Sequence, residues 1–278
     1  MDPLIFWIIV FTALGGVLSV MAAAAFLLLP ERVRTRMLAP MVSFAIGALL
    51  GAAFLAILPH AFESPVAGGA HTVTLTVLCG ILIFFVLEKM VIWRHCHTND
   101  CDVHGGTNVA GGGTPGATKA HVPDMDKARQ AATGNLILIG DGIHNMVDGV
   151  LIAAAFLTDF HLGVVTSIAV IAHEIPQELG DFAVLLHSGF SRKRALVYNV
   201  LTSLTTVIGG VVAYFSLSLA NRAVPYVLAI AASSFIYIAV ADLIPGLHKR
   251  PEFSATLQQI VLIALGIGVI AVMHTLLH

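Results

Sequence analysis

The sequence predicts an all-α integral membrane protein with eight transmembrane helices, and three observations carry that prediction. Of the 278 residues, 58% are hydrophobic and 11% are charged, whereas soluble domains carry about 25% charged residues. Eight apolar stretches each reach the roughly 20 residues that a span requires. All but one of the 14 Lys and Arg residues lie in or beside alternate connections between these stretches. We therefore expect a single transmembrane domain over residues 1–278.

The predicted helices cover residues 4–29, 40–62, 72–93, 134–157, 163–187, 195–218, 223–244 and 255–277. The first is longer than the apolar region of a signal peptide and has no basic leader, so we expect it to remain as a span. The positive-inside rule places connections 1–2, 3–4, 5–6 and 7–8 in the cytoplasm and both termini outside. Arg222 is the exception on the other side. In a bacterium the host membrane would be the inner one.

One long connection, at about 94–133, separates the third and fourth helices. Its centre is rich in Gly, which predicts a flexible cytoplasmic segment. Near its start stand imidazole and thiol side chains that can bind soft metals, namely His95, Cys96, His97, Cys101 and His104. A loop that holds metal loosely and a plain polar tether are both compatible with this composition.

A weak internal symmetry relates the second and seventh helices. Each has a Pro near its end, Pro59 in one and Pro245 in the other. As the second and seventh of eight spans, the two helices cross the membrane in opposite senses. This pattern hints at an inverted repeat of helices 1–3 and 6–8, with helices 4 and 5 between the halves.

Acidic residues within the spans are concentrated on helices 4 and 5. A charge at the bilayer centre costs about 3 kcal/mol on insertion scales, so such residues mark functional sites. The chain offers no Lys or Arg in these two spans to neutralise them. The acids of the two helices are Asp141, Asp148, Glu174, Glu178 and Asp181, and Asp242 on helix 7 is the other clearly intramembrane one.

Helical spacing arranges these residues as a ladder across the membrane. Residues three, four or seven apart share a face, and each residue rises 1.5 Å along the axis. Asp148 and His173 then lie slightly to the outer side of the midplane. His144 and Glu178 lie further inward, and Asp141 and Asp181 lie deepest. Helix 5 also contains a Pro, which frees a backbone carbonyl in this region.

Imidazole and carboxylate ligands are typical of zinc sites. The same ligands accept Fe(II), Mn(II) or Cd(II), because affinity order alone does not select a metal. Two sites sharing a carboxylate such as Glu178 are also compatible with the ligand count. Asn145 is either a ligand or a helix-packing residue.

Two other functions compete with metal uptake. His144 and Asp148 form the H-x-x-x-D pattern of cation diffusion facilitators, which export metals, although those proteins have six spans. His173 and Glu174 begin an H-E-x-x-H protease motif, but Gln177 stands where the second His should be.

Two longer motifs resemble the ZIP (Zrt/Irt-like) family of metal-ion transporters. Residues 141–149 read D-G-I-H-N-M-V-D-G, similar to the D-x-x-H-N-x-x-D-G of that family. Residues 173–181 read H-E-I-P-Q-E-L-G-D, similar to the H-E-x-P-x-E-x-G-D of its His-rich branch. The resemblance extends through Leu58-Pro59-His60 and through Tyr237 to Asp242, and so covers nearly all of the membrane part.

The resemblance implies a binuclear metal centre, a 3+2+3 helix arrangement and a homodimer. One site would comprise His144, His173, Glu174 and Glu178. The neighbouring site would comprise Asn145, Asp148, Glu174 and Glu178. Gln177, Asp141, Asp181 and Asp242 would belong to the pathway around them. Helices 1, 4, 5 and 6 would slide against the others to carry the ion inward.

This chain departs from the family pattern at four positions. Ala52 and Ala56 stand where many relatives have Asp and His on helix 2, and Thr206 stands where some have a carboxylate. Gln177 replaces a common His. The expected function is the transport of a divalent metal, zinc above others, into the cytoplasm. We expect no enzymatic activity, no cofactor beyond the transported metal and no nucleic-acid partner.

Overall fold

The computed structural model describes residues 3–95, 123–248 and 252–277, and within these ranges the chain is helical, with no β-strand. Eight long helices follow one another, as the sequence predicts. They are α1 (Pro3–Leu27), α2 (Glu31–Glu63), α3 (Ala70–His95), α4 (Pro123–Thr158), α5 (Phe160–His187), α6 (Arg192–Leu219), α7 (Asn221–Leu247) and α8 (Phe253–Leu277).

Seven of these helices are long and apolar enough to span a membrane by length and composition. The other one, α5, is 28 residues long but carries three carboxylates, those of Glu174, Glu178 and Asp181. Its position explains this polarity, because α5 contacts α1, α2, α4, α6 and α8. Polar side chains within a membrane are tolerated where they face the interior of a helix bundle.

Two helices extend beyond the stretches that hydropathy predicts. α2 begins at Glu31 and α4 at Pro123, whereas the apolar stretches begin at 40 and 134. Both extensions are rich in charged residues and good helix formers, so they continue the helix outside the apolar layer. The predicted 94–133 connection is therefore helical from Pro123 onward. Of its predicted metal ligands, Cys96, His97, Cys101 and His104 lie outside the described residues, and so does the side chain of His95.

Tight turns hold α4, α5 and α6 side by side. Asp159 separates α4 from α5 and accepts a hydrogen bond from the backbone N–H of Leu162 at 3.0 Å. Ser191 caps α6 by accepting from the backbone N–H of Arg194 at 3.4 Å. Gly189 in the preceding turn has φ +85°, which an L side chain rarely adopts. Such short connections force neighbouring helices to run antiparallel.

α2 and α7 share an irregular segment at corresponding places. Each contains six residues of π-helix, Ala52–Ile57 in α2 and Ile238–Leu243 in α7. In each helix a Pro follows two residues after the π segment, at Pro59 and Pro245. A Pro ring clashes with the carbonyl four residues earlier, and a π-bulge relieves that clash by widening the turn. The shared feature supports the predicted relation between these helices, while the inverted repeat and the 3+2+3 arrangement stay predictions.

Glycine allows α4 and α6 to pack at backbone distance. A Cβ on Gly149 would overlap the carbonyl oxygen of Thr206, and one on Gly209 would overlap the carbonyl oxygen of Met146. Thr205 also donates a hydrogen bond across the interface to the carbonyl of Gly142 at 2.7 Å. Small residues are the usual means of close helix packing in membranes. This interface fixes the face of α4 that carries the polar residues.

The helices pack in two groups. α1, α4, α5 and α6 contact one another, while α8 packs along α2 and α3 packs along α7. α2 and α7 contact each other through their π segments. The two groups meet where α5 lies against α2 and α8, and where α4 lies against α7. The polar residues of α4 and α5 lie close to this boundary.

Candidate metal site

Two helices bring together four metal-ligand side chains midway along α5. His144 and Asp148 come from α4, one turn apart on the same face, and His173 and Glu174 are adjacent on α5. One ligand atom from each residue lies within 4.8 Å of the other three. We call these four residues the metal cluster. His144 has 22% of its side chain exposed, and the other three have at most 1%.

The separations in the metal cluster match the edges of a zinc coordination tetrahedron. His144 Nε2 lies 3.4 Å from His173 Nε2, 3.8 Å from Asp148 Oδ2 and 3.6 Å from Glu174 Oε1. His173 Nε2 lies 3.2 Å from Asp148 Oδ2 and 3.6 Å from Glu174 Oε1. Tetrahedral zinc with bonds of 2.0–2.2 Å holds its ligand atoms about 3.3–3.6 Å apart. The five distances, from 3.2 to 3.8 Å, lie close to that range.

His173 is oriented to present a lone pair to the metal cluster. Its Nδ1 lies 3.1 Å from the carbonyl oxygen of Ala169, and a carbonyl can only accept a hydrogen bond. Nδ1 therefore carries the proton, and the lone pair is on Nε2. The ring is also held edge-on against Phe235 of α7, with ring centroids 6.1 Å apart. A backbone acceptor behind the distal nitrogen is the usual support for a metal-binding His.

The carboxylates of this region are buried without hydrogen-bond donors. Within the described part of the chain, neither oxygen of Asp148, Glu174 or Glu178 has a hydrogen-bond partner. His173 Nε2 lies 3.2 Å from Asp148 Oδ2. Burying unpaired charge costs several kcal/mol, and proteins offset such a cost by pairing the charge or coordinating a metal. The metal cluster is therefore electrostatically incomplete without a cation.

The polar residues next to the metal cluster form a separate network. Asn145 donates to Asp141 Oδ1 at 2.8 Å and to the Asp141 carbonyl at 3.2 Å. Its Oδ1 accepts from the hydroxyl of Thr206 on α6 at 2.8 Å. All three side chains are buried. Thr206 thus anchors Asn145, a contact that the sequence could indicate only as a polar residue on a packed helix.

The structure brings together members of both ligand sets that the resemblance implies. It groups Asp148 with both histidines and Glu174, whereas Glu178 lies one turn further along α5, about 6 Å from Glu174 along the axis. Asn145 is hydrogen-bonded to Asp141 and Thr206. The second site therefore stays a prediction.

The remaining predicted pathway residues lie outside the metal cluster. Gln177 and Asp181 are half-buried on α5, toward its His187 end, and Asp242 is exposed on the π segment of α7. Tyr237, one turn before Asp242, donates a hydrogen bond to Glu88 of α3. The sequence does not predict this contact, because the two residues are 149 positions apart.

The surroundings of the metal cluster are polar on one side and apolar on the other. Toward the Thr158 end of α4, the residues from Leu151 to Phe156 are all buried, none with more than 2% of its surface exposed. Ala52 and Ala56, in the alanine-rich π segment of α2, belong to the same apolar core and are fully buried. Toward the opposite end lie Asp141 and the half-buried Gln177. The cluster is therefore sealed by packed apolar side chains at its Thr158 end.

Comparison with known proteins assigns the chain to a family. The family model described as ZIP Zinc transporter matches residues 3–274. The chain belongs to the ZIP zinc transporter family. Zinc transporter zipt-7.2 of Caenorhabditis elegans is 34% identical to this ZIP chain, over 92% of this chain and 63% of the relative. Zinc transporter ZIP13 of Gallus gallus is 31% identical, over 86% of this chain and 74% of the relative.

A human zinc transporter is also similar to this chain. Zinc transporter ZIP5 of Homo sapiens is 33% identical over 87% of this ZIP chain and 53% of its own length. The ZIP chain thus spans about half to three-quarters of the length of these three relatives. The resemblance found in the sequence motifs is confirmed, and the comparisons favour neither the exporter nor the protease alternative.

Proposed function

We propose that this chain carries divalent metal ions, zinc above others, across a membrane and into the cytoplasm. The observation that carries the proposal is the metal cluster itself. Two imidazole nitrogens and two carboxylate oxygens lie at zinc-coordination separations, buried in a bundle of apolar helices. The names of the relatives, all zinc transporters, support the same substrate.

The proposed direction follows from the charge distribution and the packing taken together. Basic residues such as Arg34 and Arg194 lie next to the connections that the positive-inside rule assigns to the cytoplasm. With that orientation both termini are outside, and the packed Leu151 to Phe156 segment lies between the metal cluster and the outside. The polar residues Asp141, Gln177 and Asp181 lie between the cluster and the cytoplasm. The structure then corresponds to a state from which the ion leaves inward.

Release of the metal ion requires a series of exchangeable ligands, not a single closed site of high affinity. Glu178 supplies the next unpaired carboxylate, one turn along α5 from Glu174, and Asp181 follows at its next turn. An ion can exchange ligands stepwise between carboxylates of this kind, because they bind in either monodentate or bidentate fashion. We propose that transport involves no covalent chemistry and that the metal is substrate, with no further cofactor.

The proposal also includes the movement of the helices, the inverted repeat and the oligomeric state. α1, α4, α5 and α6 would move together against α2, α3, α7 and α8, because the metal cluster lies on the first group near the boundary between them. The matching π segments of α2 and α7 support an inverted repeat of helices 1–3 and 6–8. A homodimer in the bilayer is expected from the family resemblance.

The test is uptake of radioactive zinc into proteoliposomes that contain the full chain, with Fe(II), Mn(II), Cd(II) and Mg(II) as competitors. We expect zinc to accumulate inside and Mg(II) not to compete, because imidazole ligands disfavour hard cations. His173→Ala and Glu178→Ala should each abolish uptake while the protein is still recovered in folded form. Efflux without uptake would support an exporter, and wild-type flux in either variant would contradict the site.

A further inference from the structure

A groove of about 310 Å³ lies between α4 and α6. Helical spacing places its α4 wall on the side of that helix opposite to His144 and Asp148, and so away from the metal cluster. We call it the α4–α6 groove. The residues that line it include Ile139, Ile143 and Met146 of α4 and Tyr198, Leu201 and Thr205 of α6.

The α4–α6 groove is open because one wall lacks a side chain. The two helices touch at backbone distance where Gly149 and Gly209 lie. Closer to the start of both helices, Gly142 lines the groove. A Cβ on Gly142 would lie 3.7 Å from the methyl carbon of Thr202 and 4.0 Å from that of Thr205. With hydrogen in that place, the space between the two helices is not filled by the chain itself.

The lining of the groove is hydrocarbon even where the residues are polar. The Thr205 hydroxyl donates to the carbonyl of Gly142 at 2.7 Å, and that of Thr202 donates to the carbonyl of Asn199 at 3.0 Å. Both hydroxyls are therefore satisfied, and the methyl groups face Gly142. The rims of the groove are exposed apolar side chains, such as those of Ile143 and Leu201. An occupant of the groove would thus contact apolar surface.

A basic residue lies at one end of the groove. Arg194, Tyr198, Leu201 and Thr205 follow one another at steps of four, three and four residues, so they share a face of α6. Arg194 is exposed. Within the described part of the chain it forms no ion pair with a carboxylate. Arg192 is also exposed, but two residues earlier it lies on the opposite side of the helix.

The groove has the depth of one leaflet of a bilayer. Arg194 and Thr205 are 11 residues apart, which corresponds to about 16 Å along α6. Half of a hydrocarbon core of about 30 Å is about 15 Å. With Arg194 at the level of the lipid headgroups, Thr205 therefore lies close to the midplane. The positive-inside rule assigns this leaflet to the cytoplasmic side.

Tyr198 lies between the basic end and the apolar part of the groove. Its ring packs edge-on against that of Phe190, with ring centroids 5.7 Å apart and an interplanar angle of 79° or less from perpendicular packing geometry of 77°. Tyr is enriched where lipid headgroups meet hydrocarbon, because its ring is apolar and its hydroxyl is polar. The groove therefore presents a cation, an interfacial aromatic ring and an apolar channel in the order in which a phospholipid presents its phosphate, glycerol and acyl chain.

The dimensions favour an acyl chain over a helix as the occupant. From Tyr198 to Thr205 the groove extends about 10 Å along α6. A helix 10 Å across occupies about 800 Å³ over that length, whereas the groove holds about 310 Å³. Charge selects the headgroup. A guanidinium binds a phosphate by paired hydrogen bonds, and in phosphatidylcholine the lipid's own cation already offsets the phosphate charge.

We propose that the α4–α6 groove binds one anionic phospholipid of the cytoplasmic leaflet. Its phosphate lies on Arg194, and one acyl chain lies between Ile143 and Leu201. This binding goes beyond the proposed transport function and does not depend on passage of a metal.

The first test concerns the headgroup. Native mass spectrometry of the full chain, titrated with phosphatidylglycerol or with phosphatidylcholine of the same acyl chains, gives the affinity for each lipid. We expect the wild type to prefer phosphatidylglycerol. Arg194→Gln should weaken phosphatidylglycerol binding about fivefold, the effect of one basic residue at an anionic surface, and leave phosphatidylcholine binding unchanged. Arg192→Gln removes the same charge from the opposite side of α6 and should keep the preference.

The second test concerns the acyl chain. Leu201→Trp places a larger side chain at the groove, and we expect it to weaken phosphatidylglycerol binding at least about fourfold, the factor for one displaced methylene. Leu257→Trp on α8 is the matched control, because Leu201 and Leu257 are both 53% exposed and Leu257 does not line the groove. It should leave the binding unchanged. Thermal unfolding midpoints close to that of the wild type show that both variants are folded.

Three outcomes would overturn the lipid site. Equal affinity of the wild type for the two lipids would indicate only the unselective lipid layer around a membrane protein. Equal losses in Arg194→Gln and Arg192→Gln would indicate a general effect of charge. Dissociation of a dimer in Leu201→Trp, with the lipid preference retained, would assign the groove to a second copy of the chain. The titrations contain no zinc, so a failure of the transport proposal would not change their results.

Discussion

Replacing Glu174 by Gln measures the electrostatic repulsion between the carboxylates of Glu174 and Asp148 in the metal cluster. Glu174 and Asp148 are both buried, and their ligand oxygens lie within 4.8 Å of each other. Two unit negative charges at that distance repel by about 3.5 kcal/mol at an effective dielectric constant of 20. The substitution removes one charge and keeps the size of the side chain. In metal-free buffer alkaline enough to ionise both carboxylates, we therefore expect the variant to be more stable than the wild type.

Thermal unfolding in detergent provides the assay. A change of 1 kcal/mol moves the midpoint by about 2 °C in a chain of this size, so Glu174→Gln should raise it by about 7 °C with a chelator present. Zinc at 100 times its Kd should stabilise the wild type by about 2.7 kcal/mol and the variant much less. Glu63→Gln, an exposed carboxylate at the end of α2, serves as control and should change neither value. A lower midpoint in chelator, or full stabilisation of Glu174→Gln by zinc, would refute the reasoning.

Two further predictions concern the contacts that position α4. Thr206→Val removes the hydrogen bond to Asn145 and should lower the unfolding free energy by about 1 kcal/mol, with slower zinc uptake, whereas Thr206→Ser should restore both. Equal uptake by the Val and Ser variants would show that Asn145 needs no anchor on α6. Gly149→Ala places a methyl group on the Thr206 carbonyl and should sharply reduce the yield of folded protein. Gly268→Ala on α8, where a Cβ meets nothing within 4 Å, should be tolerated, and equal yields of the two variants would contradict the close α4–α6 packing.

The helix count could be predicted from the sequence because the bilayer imposes a simple rule. A span needs about 20 apolar residues, whatever it packs against, and the predicted stretches coincide with the centres of all eight helices. The same rule says nothing of helix outside the apolar layer. It therefore placed the starts of α2 and α4 too late, since Glu31 and Pro123 begin polar extensions that form helix through local propensity.

The residues of the metal cluster could likewise be named from the sequence. Ionisable groups are so costly in a span that their presence indicates a site, and helical spacing shows which of them share a face. His144, Asp148, His173 and Glu174 were all among the predicted ligands. Their grouping could not be predicted, because it depends on how α4 is rotated against α5, and spacing along one helix does not determine the contact between two.

What the sequence determined alone is the set of spans and the kinds of ligand they carry, because both follow from the transfer of side chains between water and lipid. What only the tertiary structure decided is which ligands meet. Gly149 and Gly209 allow the close approach of α4 to α6, and Asn145 is hydrogen-bonded to both Asp141 and Thr206.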